Sequence, residues 1–165
     1  MKQILLINPD VVKSYSNLND NLWEKYIRPA VSEAQSIELR TTLGDILYHQ
    51  VLEMVGDGTI TASTNTLYKT MLDEYIQPFL IYQTLVNLIP IISTKLVNLG
   101  TVVSNDEHLT NLSQPERELI QRHYVSRAAH YRMLLVNFLD NNFPDCDRER
   151  SWDYCNIWLG GEVAR

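Results

Sequence analysis

Few residues in this sequence are suited to catalysis or metal binding, and they do not fall into a recognised spacing. The histidines are His49, His108, His123 and His130. His123 and His130 lie seven positions apart and could share a helix face, but no cysteine or carboxylate completes a zinc set. Neither His-Glu-x-x-His nor Cys-x-x-Cys occurs. We therefore interpret the histidines as structural or surface residues.

The cysteines, the acid pairs and the glycines give no stronger indication of chemistry. Cys146 and Cys155 have no oriented base beside them in the sequence, and Asp145 and Asp147 have none either. The phosphate-binding glycine motifs and the Gly-x-Ser-x-Gly nucleophile motif are absent. The sequence predicts a protein that is not an enzyme and that has no metal site and no cofactor.

Length and charge narrow the class of protein further. A chain of 165 residues is the usual size of one domain, and its net charge of −6 disfavours binding to duplex DNA. The densest basic set is spread along one predicted helix and is typical of a solvated face or a subunit contact: Arg117, Arg122, Arg127 and Arg132. No secretory signal or membrane span is evident, so we expect folding in a reducing cytoplasm.

Apolar periodicity predicts a mostly α-helical, bundle-like domain. The helices are expected at about 21–38, 43–55, 67–94 and 114–140, with a small β hairpin or extended loop near 96–104. The sequence at 56–58, Gly-Asp-Gly, should stop the second helix. Three prolines predict kinks or restarts within helices: Pro29, Pro78 and Pro90.

The clearest helix start is a capping box at 113–116. Ser113 is placed to cap the helix, Pro115 suits its first turn, and Glu116 lies three residues after the serine. The apolar positions that follow at helical spacing, from Leu119 to Leu139, predict a long helix with one buried face.

The two ends of the chain are predicted to contact other proteins. We divide the sequence into a helical domain with an N-terminal arm, 1–142, and an aromatic and charged tail, 143–165. The tail either packs on the domain or docks on a partner, and its aromatic residues, with little helical period, favour docking. The candidate partner-binding residues are Leu5, Leu6 and Ile7 in the arm and Trp152, Tyr154 and Trp158 in the tail.

Several short motifs, in order, resemble one known group of proteins. They are WEKYIRPAVSEAQ at 23–35, LGDILY at 43–48, the long helix at 67–94, the stretch 94–100, SQPE at 113–116, and Tyr124 with Ala128, Ala129 and Tyr131. In these features, over about 15–142, the sequence resembles the head-to-tail connector (adaptor or ring) proteins of tailed bacteriophages, especially those of crAss-like phages. The tail beyond 143 is not covered.

The resemblance implies a structural protein of the virion, located in the neck between capsid and tail and present in the host cytoplasm during assembly. It implies a homo-oligomeric twelve-fold ring that contacts the portal protein and other neck or tail proteins. DNA would pass through the ring without sequence-specific binding, and no membrane would be involved. Two alternatives stay open on the sequence: a generic helical interaction or regulatory adaptor, and an enzyme with an unrecognised site.

Overall fold

The computed structural model describes residues 4–15, 24–97, 100–103 and 114–143. The fold is mostly α-helical, as predicted. The α-helices are α1 (Pro9–Ser14), α2 (Glu24–Glu33), α3 (Arg40–Leu43), α4 (Asp45–Gly56), α5 (Thr66–Thr70), α6 (Gln77–Ser93) and α7 (Gln114–Asn142). Two π-helical turns, Ala34–Leu39 and Met71–Ile76, and two 3-10 turns, Thr59–Thr61 and Ser63–Asn65, complete the helical elements.

The first long helical stretch runs from α2 through a π turn into α3. It is continuous across Pro29 and ends at Gly44, whose φ of 78° and ψ of 159° are accessible to glycine alone at little cost. Leu43 was predicted to begin the second helix, and that assignment is wrong, because Leu43 ends the first stretch and α4 begins at Asp45. The predicted stop at 56–58 is confirmed, since α4 ends at Gly56.

The second long stretch runs from α5 through the other π turn into α6. The amide of Gln77 donates to the carbonyl oxygen of Leu72, which is the five-residue spacing of a π turn. Pro78 follows directly. Because proline lacks the amide proton and crowds the carbonyl four residues before it, a widened turn at this point relieves the conflict.

The short β element is an antiparallel hairpin of β1 (Thr94–Val97) and β2 (Gly100–Val103). Thr94 pairs with Val103 and Val97 with Gly100. The hairpin predicted near 96–104 is therefore present and starts two residues earlier, where α6 ends.

The second long stretch, from α5 to α6, packs antiparallel to α7 through three aromatic pairs. The ring centroids lie 5.4 Å apart for Tyr68–Phe143, 4.5 Å for Tyr75–Phe138 and 5.3 Å for Tyr82–Tyr131. Phe143 thus packs on the helical domain, although the sequence division placed it in the tail. The other tail residues, 144–165, lie outside the described part of the chain.

The core lies between the two long helical stretches, α4 and the second half of α7. Its largest fully buried side chains include Ile27, Leu39, Leu43, Leu47, Met71, Ile76, Phe79, Leu80, Leu85, Leu88, Leu135 and Leu139. Four of the apolar residues that recur at helical spacing are exposed: Ile37, Ile46, Leu67 and Leu119. The periodicity therefore predicted the helices but not which of their apolar residues are covered.

Candidate interaction surface

The predicted N-terminal arm is part of the core. Leu6 and Ile7 are buried and Leu5 is partly buried against the same cluster, so the prediction that these residues form a free partner-binding arm is wrong. The segment leads into α1, where the side chain of Asn8 accepts from the amide of Asp10 and Pro9 occupies the first turn. The apolar run is therefore explained by burial within its own domain.

A single glutamine holds this N-terminal segment in place. Gln35, in the π turn Ala34–Leu39, is buried, and its Oε1 accepts from the amide of Leu6 at 2.9 Å. Its Nε2 donates to the carbonyl oxygen of Ile4 at 3.0 Å and to Oη of Tyr48 at 3.4 Å. The carboxamide thus satisfies the backbone on both sides of Leu5, as an adjacent strand would.

The contacts of the described residues do not test the prediction that the C-terminal tail binds a partner. Trp152, Tyr154 and Trp158 lie outside the described residues, as do Cys146 and Cys155. Among the residues that the structure does describe, no three histidine, cysteine or acidic side chains are grouped to hold a metal ion. None of the helices described is both long and apolar enough to cross a bilayer.

The first half of α7 is poorly covered by its own domain. This helix of 29 residues is about 43 Å long, and the continuous stretch from α5 to α6 that packs beside it is of similar length. Among the side chains that the structure describes on this helix, Ala128 is the first that is buried, followed by Leu135 and Leu139. Of the described side chains before Ala128, Gln121 and Tyr124 are partly buried and the others are exposed.

The solvent-facing side of α7 carries a row of exposed residues with a large apolar side chain at each end. Its positions recur at intervals of three and four residues, the spacing of a seam that packs on another helix. Leu119 is 69% exposed and Met133 is 49% exposed, at the two ends of the row. We call this row the α7 seam; it consists of Leu119, Arg122, Ser126, Ala129 and Met133, all exposed.

The α7 seam was missed by the sequence prediction, which assigned Leu119 to the buried face. Only the heptad relation of Leu119, Ser126 and Met133 could have revealed it. Small side chains at Ser126 and Ala129 would let a second helix approach closely, and the larger apolar residues at either end would then be covered.

Three arginines on α7 lack the ion pairs that arginines form elsewhere in the described chain. Arg28 pairs with Glu24 and Arg40 with Asp45, each with 2.6 Å between Nε and a carboxylate oxygen. By contrast, Arg122, Arg127 and Arg132 form no ion pair within the residues that the structure describes. The predicted basic set on this helix therefore includes cations without an acidic partner in their own described domain.

A polar cluster lies between the first π turn and α6. Oε1 of Glu38 accepts from Nε2 of Gln83 at 3.2 Å and from Nδ2 of Asn87 at 3.5 Å. Its Oε2 is buried and has no hydrogen-bond partner, and neither has the buried hydroxyl of Thr84. Burial raises the pKa of Glu38 above its ordinary value of 4.5, because the charged form loses water, and the nearby Glu33 raises it further.

Stability should therefore depend on the protonation of Glu38. At pH values between 4.5 and the raised pKa, the folded state holds a proton that the unfolded state has released. The contribution of this proton is complete below 4.5 and is lost as the pH rises through the raised pKa. We expect Glu38→Gln, relative to wild type, to become progressively more stable as the pH rises through this window.

Denaturant midpoints measured across that window for both proteins would show the difference. Glu74→Gln, which changes an exposed carboxylate on the second long helical stretch, is the matched control and should give a smaller pH-dependent difference. Parallel profiles for wild type and Glu38→Gln would mean that Glu38 is hydrated in the folded protein.

Taken together, the fold and the surface define a small helical domain with one long, partly uncovered helix. The chain belongs to a family of unknown function, DUF6712, whose model matches residues 39–155. The matched range includes α4, α6 and α7, and it continues past the boundary that we placed at 142. No curated protein and no solved structure matches the chain.

Proposed function

We propose that this protein is a head-to-tail connector subunit that assembles as a ring below the portal of a tailed bacteriophage. The ring would extend the DNA channel toward the tail and present a surface to the next neck component. The sequence resemblance to connector proteins motivates this function, and the α7 seam is the structural observation that supports it best.

A seam of this kind suits repeated contact between identical subunits. Large apolar side chains such as Leu119 and Met133 are costly to leave in water, and covering them with a neighbouring protein removes that cost. When the covering surface is a different face of the next copy, the contact is heterologous, and repetition with the right rotation closes a ring. Arg122, Arg127 and Arg132, which form no ion pair with another described residue, would supply the polar component that sets the orientation of such a contact.

The charge of the chain is compatible with a DNA channel. A net charge of −6 avoids a generally basic surface, which would hold the phosphate backbone rather than let it slide. DNA is therefore proposed to pass through the ring without sequence-specific binding. The virion neck is the proposed location, with the host cytoplasm as the site of assembly.

Sedimentation velocity on the full chain tests this function. We expect a single large species above a threshold concentration, or on addition of portal protein from a phage that encodes this chain, and monomer below it. A monomer or dimer at every concentration, with or without portal protein, would contradict the connector function and would favour a small helical adaptor instead.

A further inference from the structure

The solvent-facing side of α4 carries a row of exposed residues whose charge is opposite to that of the α7 seam. The row recurs at intervals of four, three and four residues: Ile46, Gln50, Glu53 and Asp57. The first three lie in α4, and Asp57 directly follows its last residue. Ile46 is 65% exposed, which makes it a large apolar side chain without cover in the described domain. We call this row the α4 stripe.

The α4 stripe is acidic where the α7 seam is basic. Helix α4 contains no lysine or arginine, and Glu53 and Asp57 form no ion pair within the described residues. The other acid of this helix, Asp45, is already paired with Arg40. The stripe thus offers an exposed apolar residue and two unpaired carboxylates on one face.

We infer that the α7 seam of one copy docks on the α4 stripe of the next copy, with Arg122 facing Glu53. This inference rests on the proposed ring function and assigns the two surfaces that form its repeated contact. Both rows have the spacing of helix packing, each has an exposed apolar residue, and their unpaired charges are opposite. The two rows lie on different helices, so the contact is heterologous, as a ring requires.

A charge exchange tests the pairing. In Arg122→Glu, a glutamate on the seam meets Glu53 of the next copy, and in Glu53→Arg, an arginine on the stripe meets Arg122. Each variant alone is expected to self-associate about tenfold or more weakly than wild type, because like charges then meet in the contact. Mixing the two variants places opposite charges at every contact of an alternating assembly, so association should return.

Sedimentation velocity and melting temperature together read out the result for the full chain. Both positions are exposed, so the melting temperatures of the dissociated variants should match that of dissociated wild type. Glu74→Arg is the matched control, since it reverses an exposed acid outside the α4 stripe and should leave association unchanged.

The outcomes separate this inference from the proposed function. If wild type assembles but the single variants assemble equally well, or if mixing them restores nothing, the α7–α4 contact is wrong and the ring function stands. If Glu74→Arg weakens assembly as much as Glu53→Arg, the effect is one of overall charge and the pairing is also wrong. If wild type never assembles, the ring function fails and the contact fails with it.

Discussion

Leu135→Ala is expected to lower the free energy of unfolding by about 2–5 kcal/mol. Leu135 is 0% exposed and belongs to the core cluster, on the side of α7 that faces the domain. Truncation removes its apolar contacts and leaves a cavity that the surrounding leucines and isoleucines can fill only in part. Chemical denaturation, at a concentration where the chain is dissociated, measures the loss.

Leu119→Ala is the matched control, because it makes the same change in the same helix. Leu119 is 69% exposed, so little apolar surface returns to water, and the expected change in unfolding free energy is within about 0.5 kcal/mol. A loss as large as that of Leu135→Ala would show that the start of α7 is covered within the monomer. The α7 seam would then not be available to another copy.

Gln35→Leu should lower the free energy of unfolding by about 2 kcal/mol or more. Leucine keeps an apolar side chain of similar size but removes both the acceptor for the amide of Leu6 and the donor to the carbonyl oxygen of Ile4. The amide of Leu6 is then either buried without a partner or exposed to water at the expense of buried apolar surface.

Denaturant midpoint and protease sensitivity near the N-terminus measure this effect together. Gln50→Leu is the control, because Gln50 is an exposed glutamine on α4, and it should leave stability nearly unchanged. The account of the N-terminal segment would be overturned if Gln35→Leu and Gln50→Leu had equal midpoints and both left the segment resistant to protease.

Local signals in the sequence were sufficient to predict the helices and several of their ends. The glycines around Asp57 stop α4 because they end helical hydrogen bonding at little steric cost, and α7 begins at Gln114, directly after the predicted capping residue Ser113. Ser113 itself lies outside the described residues, so its capping hydrogen bond stays a prediction. These features depend on residues within one turn of each other.

Whether an apolar residue is buried depends on tertiary contacts, which the periodicity of the sequence does not predict. A row of apolar residues shows that a helix has an apolar face, but whether Ile46 or Leu119 is covered depends on which other element packs there. The N-terminal segment illustrates the same limit, since its burial depends on Gln35, which lies 29 residues from Leu6. From the sequence alone, an apolar run at the start of the chain could not be distinguished from an exposed arm, because its contact with Gln35 was not known.

The two π turns differ in how far the sequence accounts for them. The turn at Met71–Ile76 has a local cause, because Pro78 was itself predicted to interrupt the helix. The turn at Ala34–Leu39 contains no proline, and the local pattern did not predict it. The partner-binding residues proposed in the tail remain predictions, whereas the candidate surface on α7 came from the structure.

Electron microscopy of the full chain, alone and mixed with portal protein, tests the central claim most directly. The connector account predicts closed rings of one rotational symmetry in averaged end-on views, with twelve subunits as the expected copy number. The α7–α4 contact, which is tested separately, predicts that Arg122→Glu alone abolishes the rings and that mixing it with Glu53→Arg restores them. Fields containing only monomer-sized particles, in the presence and absence of portal protein, would contradict the connector account.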